Sequence, residues 1–254
     1  MKFALSLLGA ILCAGLLAAA PAVRAAGPQT QTIEFPSGKD TVSGFLAVPE
    51  KPGRYAAVIV IHEWWGLNDW AKEQTVRISE LGFVALAVDL YRGKVAADPA
   101  EAHELSRGLP SDRAIRDLMA AYDYLGTRKD VTPYHIGAIG WCMGGGYALQ
   151  LAIHQPRLAA LVVNYGALPT DPNDLQQIGA PILGNFGADD KGITPADVQA
   201  FEKSMKNLNR RVDLKIYDGA GHAFENPNNQ SGYRPEAAAD AWTRTASFLN
   251  NFLK

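Results

Sequence analysis

The stretch IGAIGWCMGGG, residues 136–146, decides the fold of this chain. It reads as an apolar strand, then a turn of small residues, then the start of a helix. Within it, Gly140-x-Cys142-x-Gly144 has the spacing of a nucleophile elbow, with a cysteine where serine is usual. On so tight a turn the nucleophile's backbone is strained, and neighbouring backbone comes too close for a Cβ. Glycine is therefore needed two positions to either side.

The helix that follows the turn points its N-terminus at Cys142. Its free N–H groups and positive dipole end favour a thiolate and, later, an oxyanion. The alternative is a buried structural cysteine in a glycine-rich turn. The other cysteine, Cys13, lies in an N-terminal segment that is predicted below to be a cleaved signal peptide, so the exported chain would keep Cys142 alone. An exported protein meets an oxidising compartment, where a lone thiol is easier to explain by a chemical role than by packing.

Residues 1–26 are predicted to be a secretory signal peptide. Lys2 gives a positive start, residues 3–20 are apolar, and small residues precede a cleavage site after Ala25 or Ala26. We therefore expect a periplasmic or secreted protein with no stable membrane insertion after cleavage. An uncleaved membrane anchor is the alternative, since the apolar run is nearly long enough to span. Lipid attachment at Cys13 is disfavoured because Leu12 before it is not small.

Residues 27–254 are predicted to form one α/β domain. The chain has 254 residues, 48% of them hydrophobic and 20% charged, with a formal net charge of −2. Nothing basic indicates nucleic acid, and no repeat or break in composition divides the chain. Strands alternate with helices, which predicts a mostly parallel sheet with helices on both faces and a site at the strands' carboxyl ends. We expect a monomer.

The hydrophobic pattern also places the elements. Two β-prone runs, 32–35 and 41–48, are predicted to pair antiparallel at a sheet edge, joined by a turn over 36–40. The buried strands are predicted over 56–61, 83–89, 134–139, 158–163, 181–186 and 212–217. Capping residues predict helices that begin near Asn68 or Asp69, Asp98, Ser111, the elbow, Thr194 and Pro235.

Three segments that leave strands carry reactive residues in the order nucleophile, acid, histidine. These are Cys142, the pair Asp189 and Asp190, and His222, which is the chain order of an α/β-hydrolase triad. The imidazole takes the thiol proton, and the acid fixes its tautomer. We choose Asp190, three residues before Ile193, and leave Asp189 as a local turn cap.

Two backbone N–H groups are expected to form an oxyanion hole. One belongs to Met143, after the nucleophile, and the other to Trp64, in the loop after the strand over 56–61. Glu63 in that loop is unusual. A carboxylate near a cysteine disfavours the thiolate and could take the thiol's proton. The alternative is a solvated or arginine-paired loop acid.

Four motifs resemble those of the dienelactone hydrolase family, in the α/β-hydrolase superfamily. They are HEWWGLN at 62–68, GWCMGG at 140–145, GADDKGI at 187–193 and GHAF at 221–224. The resemblance covers essentially the whole chain after the signal segment. It implies an α/β-hydrolase fold and a Cys142–His222–Asp190 triad. It also implies that Glu63 contacts the resting thiol and takes part in activating it.

The substrate pocket departs from the family pattern. Family enzymes that act on dienelactone hold its carboxylate with arginines, one of them a few residues after the catalytic histidine. Here that stretch, 224–227, has no arginine. Arg92 lies near the place of the other, without a clear match. We therefore do not expect dienelactone to be the natural substrate. Trp65, Tyr91 and Arg92 are candidate substrate-binding residues, and the aromatic ones could equally be core.

The sequence thus predicts an exported, cysteine-dependent hydrolase of small carboxylic esters or lactones that works through an acyl-thioester. No metal or cofactor is expected, because no cluster of His, Cys or Asp has ligand spacing. Two alternatives stay open. One is acyl-transfer or thioesterase chemistry at the same triad. The other is a non-catalytic envelope-binding protein that keeps the elbow as a relic.

Overall fold

The computed structural model describes residues 27–254, so the predicted signal segment lies outside the described residues. Eight strands form one sheet in the order β1-β2-β4-β3-β5-β6-β7-β8. Their bounds are β1 Gln29–Ser37, β2 Asp40–Val48, β3 Tyr55–Ile61, β4 Val84–Val88, β5 Val131–Trp141, β6 Ala160–Asn164, β7 Ile182–Gly187 and β8 Val212–Tyr217. Strands β3 to β8 pair parallel, which confirms the predicted sheet type.

Helices cover both faces of the sheet. Their bounds are α1 Asp69–Glu80, α2 Pro99–Arg107, α3 Ser111–Thr127, α4 Met143–His154, α5 Pro172–Gln177, α6 Pro195–Asn207 and α7 Pro235–Leu253. Apolar side chains of α3, α4, α5 and α6 pack in one core cluster, and those of α1 and α7 pack in a second. The central strands are buried between the two clusters, which explains their unbroken apolar runs. The predicted α/β architecture is confirmed.

The antiparallel pair at the sheet edge is also confirmed, with one correction. Strands β1 and β2 pair along their whole length, and Ser37 pairs with Asp40. The connection is therefore a two-residue turn at Gly38 and Lys39, shorter than the turn predicted over 36–40. Gly38 has a φ of 62°, a conformation that glycine adopts without strain.

Helix boundaries followed the capping residues except at α3 and α5. Ser111 was predicted to cap α3, but it is the first helical residue, and Pro110 stands at the cap without a side-chain hydrogen bond. The Pro110 carbonyl accepts the Ala114 N–H, so the helix begins one residue earlier than predicted. Helix α5 was not predicted, although Asp171 caps it and Pro172 follows in its first turn.

The parallel order brings four segments to one edge of the sheet. These are the residues that follow the carboxyl ends of β3, β5, β7 and β8. Because parallel strands end at the same edge, the loop after β3, the elbow, the acid loop and the histidine loop meet there. Across residues 27–254, no helix is both long and apolar enough to cross a membrane.

Candidate active site

The elbow between β5 and α4 holds Cys142 in an unusual backbone conformation. Its φ is 54° and its ψ is −121°, a region that a residue with a Cβ occupies only when its surroundings enforce it. A Cβ at Gly140 would collide with the Gly144 carbonyl, and one at Gly144 with the Ile61 carbonyl. The glycine spacing therefore has the steric cause that the sequence predicted.

The imidazole of His222 lies between the thiol and a carboxylate. Its Nε2 is 3.1 Å from Cys142 Sγ, and its Nδ1 is 2.7 Å from Asp190 Oδ2. Asp190 is buried, and its other oxygen accepts the N–H groups of Gly192 at 2.8 Å and Ile193 at 3.1 Å. Asp189 is exposed, and its side chain does not reach the ring. The structure thus brings Asp190 to the histidine, and not Asp189.

Opposing effects set the pKa values of this pair. Burial alone would raise the pKa of Asp190, but hydrogen bonds from His222 and from two backbone N–H groups outweigh it and lower the pKa. Burial alone would lower the pKa of His222, but Asp190 and Cys142 raise it to about 10. The His222 ring therefore holds its proton at neutral pH.

Glu63 is held at the bottom of the site by two neutral partners. It is 2% exposed. Its Oε2 accepts the Asn226 amide at 2.6 Å and its Oε1 accepts the Tyr165 hydroxyl at 3.3 Å. Burial raises the pKa of Glu63 to about 7, although both hydrogen bonds and the charge of His222 oppose it. The carboxyl therefore gains and loses its proton near neutral pH.

The contact that the resemblance implied between Glu63 and the resting thiol is not seen. The structure describes both residues, and no hydrogen bond joins Glu63 to Cys142. The Cys142 sulfur contacts His222 Nε2 instead. The physical reason is that both carboxyl oxygens already have partners on other loops.

His62 fixes the loop that follows β3. Its ring is fully buried. Nε2 accepts the Leu90 N–H at 3.3 Å, so Nδ1 carries the proton and donates it to the Glu63 carbonyl at 2.5 Å. The same carbonyl accepts the Gly66 N–H at 3.2 Å. Burial lowers the pKa of His62, although the backbone hydrogen bond and Asp89 oppose this, and the ring stays neutral.

The anchored carbonyl also sets the direction of the Trp64 N–H. The two groups belong to one trans peptide, in which C=O and N–H point in opposite directions. Within residues 27–254, neither the Trp64 N–H nor the Met143 N–H donates to a protein acceptor. Both are therefore free to bind a ligand oxygen.

Of the three candidate substrate-binding residues, only Trp65 lines the cavity beside Cys142. Tyr91 is buried, and its hydroxyl donates to Met143 Sδ at 3.2 Å. The Arg92 guanidinium lies 2.7 Å from the fully buried Asp117 carboxylate. The prediction that Tyr91 and Arg92 bind substrate is therefore wrong. The Tyr91 hydroxyl is held by Met143 and the Arg92 guanidinium by Asp117, and neither residue lines the cavity.

The cavity at the thiol has a volume of about 860 Å³, which is within the range of small-molecule sites. Its walls are formed by the loop after β3, the elbow and the histidine loop, with these lining residues: Glu63, Trp64, Trp65, Cys142, His222, Ala223, Asn226, Asn228, Asn229, Gln230 and Ser231. No group of three or more His, Cys, Asp or Glu within residues 27–254 could hold a metal ion.

Sequence reasoning missed three of these residues. His62 and Asn226 lie in stretches that the sequence marks for other reasons, and no motif marks Tyr165. Tyr165 packs edge-on against the His222 ring, with ring centroids 5.3 Å apart. One signal was present for His62, which ends the buried strand run and begins the predicted oxyanion loop.

Comparison with known proteins identifies the family. The model of the dienelactone hydrolase family matches residues 42–253. The chain belongs to the dienelactone hydrolase family. This membership makes it a hydrolase of the lactone and ester class, and the eight-stranded sheet is that of the α/β-hydrolase fold.

Relatives of known name agree with this membership. A Saccharolobus solfataricus protein assigned as a carboxymethylenebutenolidase is 35% identical, over 87% of this chain and 98% of its own. A Bradyrhizobium sp. protein assigned as a 2-oxo-3-(5-oxofuran-2-ylidene)propanoate lactonase is 34% identical, over 81% and 87%. The solved dienelactone hydrolase-like promiscuous phosphotriesterase P91, from metagenomic libraries, is 27% identical with a TM-score of 0.83, over 90% of this chain and 100% of its own.

Proposed function

We propose that this dienelactone hydrolase-like protein is a cysteine-dependent hydrolase of carboxylic esters or lactones, with Cys142 as nucleophile. One observation carries the proposal: His222 bridges Cys142 Sγ, at 3.1 Å, and Asp190, at 2.7 Å. That is the relation of nucleophile, base and orienting acid that acyl transfer needs.

In the first half of the reaction, the Cys142 sulfur attacks the carbonyl carbon and forms a C–S bond. The electron pair of the C=O moves to oxygen, and the N–H groups of Trp64 and Met143 hold that oxyanion. When the carbonyl re-forms, the C–O bond to the leaving alkoxide breaks. The alkoxide takes the proton from His222 Nε2, which leaves the acyl group as a thioester on Cys142 and a neutral His222 beside it.

In the second half, water attacks the thioester. His222 takes one proton from the water as the new C–O bond forms, and the same two N–H groups hold the second oxyanion. The C–S bond then breaks, the carboxylic acid leaves, and the sulfur returns beside the imidazolium. With a lactone substrate, the alcohol and acid leave on one molecule.

For Glu63 we propose the role of proton acceptor for the resting thiol, which matches what the family resemblance implies. Both groups line the same cavity. Burial brings the pKa of Glu63 to about 7, so its carboxylate can take a proton under mild conditions. The contact requires Cys142 to turn its sulfur away from His222.

We further propose that the protein is exported as a monomer to the periplasm or the medium, with cleavage after Ala25 or Ala26. The positive start, apolar run and small residues of 1–26 support the export and the cleavage. Mass spectrometry of the protein from the producing cells gives the mature N-terminus, and an intact Met1 in that protein would contradict the proposal.

The catalytic proposal is tested with p-nitrophenyl acetate. The full chain is prepared with Cys13→Ala, so that Cys142 is its only thiol. We expect turnover that iodoacetamide abolishes, with one carbamidomethyl group on Cys142 by mass spectrometry, and no turnover by Cys142→Ala. Turnover that survives alkylation of Cys142, or that Cys142→Ala keeps, would refute the proposal.

A further inference from the structure

We infer that the substrate of this site is an uncharged ester or lactone that carries hydroxyl groups, as an acylated sugar or a sugar lactone does. The inference rests on the proposed function and adds its substrate class. It comes from the chemistry of the cavity walls: they offer no lysine or arginine to a carboxylate, but they offer amides, a hydroxyl and two indole rings.

The charges around the thiol disfavour an anionic substrate. Among the lining residues only Glu63, Cys142 and His222 can ionise, and none is lysine or arginine. The imidazolium of His222 is already paired with Asp190. Arg92, an arginine of the next loop, is paired with a buried carboxylate. A substrate carboxylate would therefore lose its water without gaining a partner, and would face Glu63.

One wall of the cavity is formed by polar side chains without hydrogen-bond partners. These are Asn228, Gln230 and Ser231, which are exposed and line the cavity. Their side chains have no hydrogen-bond partner anywhere in residues 27–254, whereas Asn226 and Asn229 are held by Glu63 and by backbone carbonyls. Amides and hydroxyls both donate and accept hydrogen bonds. They are therefore suited to substrate hydroxyls, which do the same.

Another part of the cavity wall is aromatic. The rings of Trp64 and Trp65 meet edge-on, with centroids 5.3 Å apart at 65°. An indole is flat and apolar, and the C–H face of a sugar ring can pack against it. The volume of about 860 Å³ leaves room for such a ring beside the reacting acyl group. A purely apolar acyl chain would fill the aromatic side but strip water from the amides without replacing it.

The test compares three lactones with the same six-membered ring. They are glucono-δ-lactone (uncharged, hydroxylated), the δ-lactone of glucaric acid (the same ring with a carboxylate) and δ-valerolactone, the lactone of 5-hydroxyvaleric acid (uncharged, apolar). Hydrolysis by the full chain is followed as acid release in a pH-stat, with the spontaneous rate subtracted. We expect kcat/KM for gluconolactone to exceed both others by about tenfold or more.

An equal or higher kcat/KM for the glucaric or the valeric lactone would overturn the inference. Turnover of p-nitrophenyl acetate in the same preparation separates the two proposals. If that ester is hydrolysed through Cys142 but gluconolactone is not preferred, the substrate class is wrong and the proposed function stands. If neither that ester nor any of the three lactones is hydrolysed, the proposed function itself fails.

A charge introduced into the amide wall provides the second arm. Gln230→Arg puts an arginine into walls that have no lysine or arginine. We expect it to raise the ratio of kcat/KM for glucaric over gluconic lactone about tenfold. The matched control is Gln177→Arg, an exposed glutamine of α5 that does not line the cavity. Equal ratios in the two variants, with both folded by circular dichroism, would overturn the inference.

Discussion

Replacing Glu63 by glutamine should stabilise the protein in a pH-dependent way. Burial raises the pKa of this carboxyl from 4.5 to about 7. Between these values the unfolded chain releases the proton while the folded chain keeps it. The free energy of unfolding therefore falls as the pH rises through this window, and stays low above it. A shift of about 2.5 pKa units corresponds to about 3 kcal/mol.

Glutamine removes this titration and can keep both hydrogen bonds. Its Oε1 can accept from the Asn226 amide, and its Nε2 can donate to the Tyr165 hydroxyl oxygen, which now accepts. Only the Tyr165 hydroxyl hydrogen loses its acceptor, so we expect an offsetting loss smaller than the gain at pH 8. We expect Glu63→Gln to raise the free energy of unfolding by about 3 kcal/mol at pH 8 and by about 1 kcal/mol at pH 5.

Urea unfolding of both proteins at pH 5 and pH 8 measures the effect. Glu34→Gln, the same chemical change at an exposed site on β1, is the matched control and should stay within about 0.5 kcal/mol of the parent. If Glu63→Gln gives the same change at both pH values, or destabilises at pH 8, the carboxyl is not a buried group that resists ionisation.

Three other substitutions test the geometry of the site. Asp190→Asn should lower kcat for p-nitrophenyl acetate by about 10³- to 10⁴-fold with little change in KM, because the amide no longer fixes the His222 tautomer; an equal rise in KM would contradict this. His62→Leu should lower kcat by about 10²-fold through loss of the Trp64 N–H direction, and His62→Asn, which keeps a donor for the Glu63 carbonyl, should retain more; equal kcat values would show that this hydrogen bond does not act. Gly144→Ala should lower the free energy of unfolding by about 3 kcal/mol or more, since its Cβ meets the Ile61 carbonyl; urea unfolding like that of the parent would refute this.

The family and the candidate residues of the site were accessible from sequence because each depends on local features. The elbow needs glycine at 140 and 144 for steric reasons that act within a few residues. The acid loop places Asp190 by hydrogen bonds to N–H groups two and three residues further on. Cys142, Asp190 and His222 each follow a strand, in the order nucleophile, acid, histidine. Because strands alternate with helices, the sheet is parallel and these residues meet at one edge of it.

The two missed boundaries have a local cause as well. At α3, the ring of Pro110 fixes its φ, and the Pro110 carbonyl accepts the Ala114 N–H. Pro110 therefore occupies the cap position, and Ser111 is the first residue of the helix. At the first hairpin, a two-residue turn with a left-handed Gly38 lets pairing continue to Ser37 and Asp40.

The sequence by itself thus determined the fold class, the elbow, and the candidate residues Cys142, Asp190 and His222 with their order along the chain. These follow from periodicity, turn chemistry and the steric demands of neighbouring backbone, all of which act over a few residues. Only the tertiary structure decided the partners of the polar side chains. The Asn226 amide donates to Glu63, which lies 163 positions earlier in the sequence. Arg92 pairs with Asp117, and helix α2 separates the two in the sequence. The His62 ring accepts the Leu90 N–H from another loop. A polar group takes whichever partner folding brings within about 3 Å, and no local pattern encodes that distance.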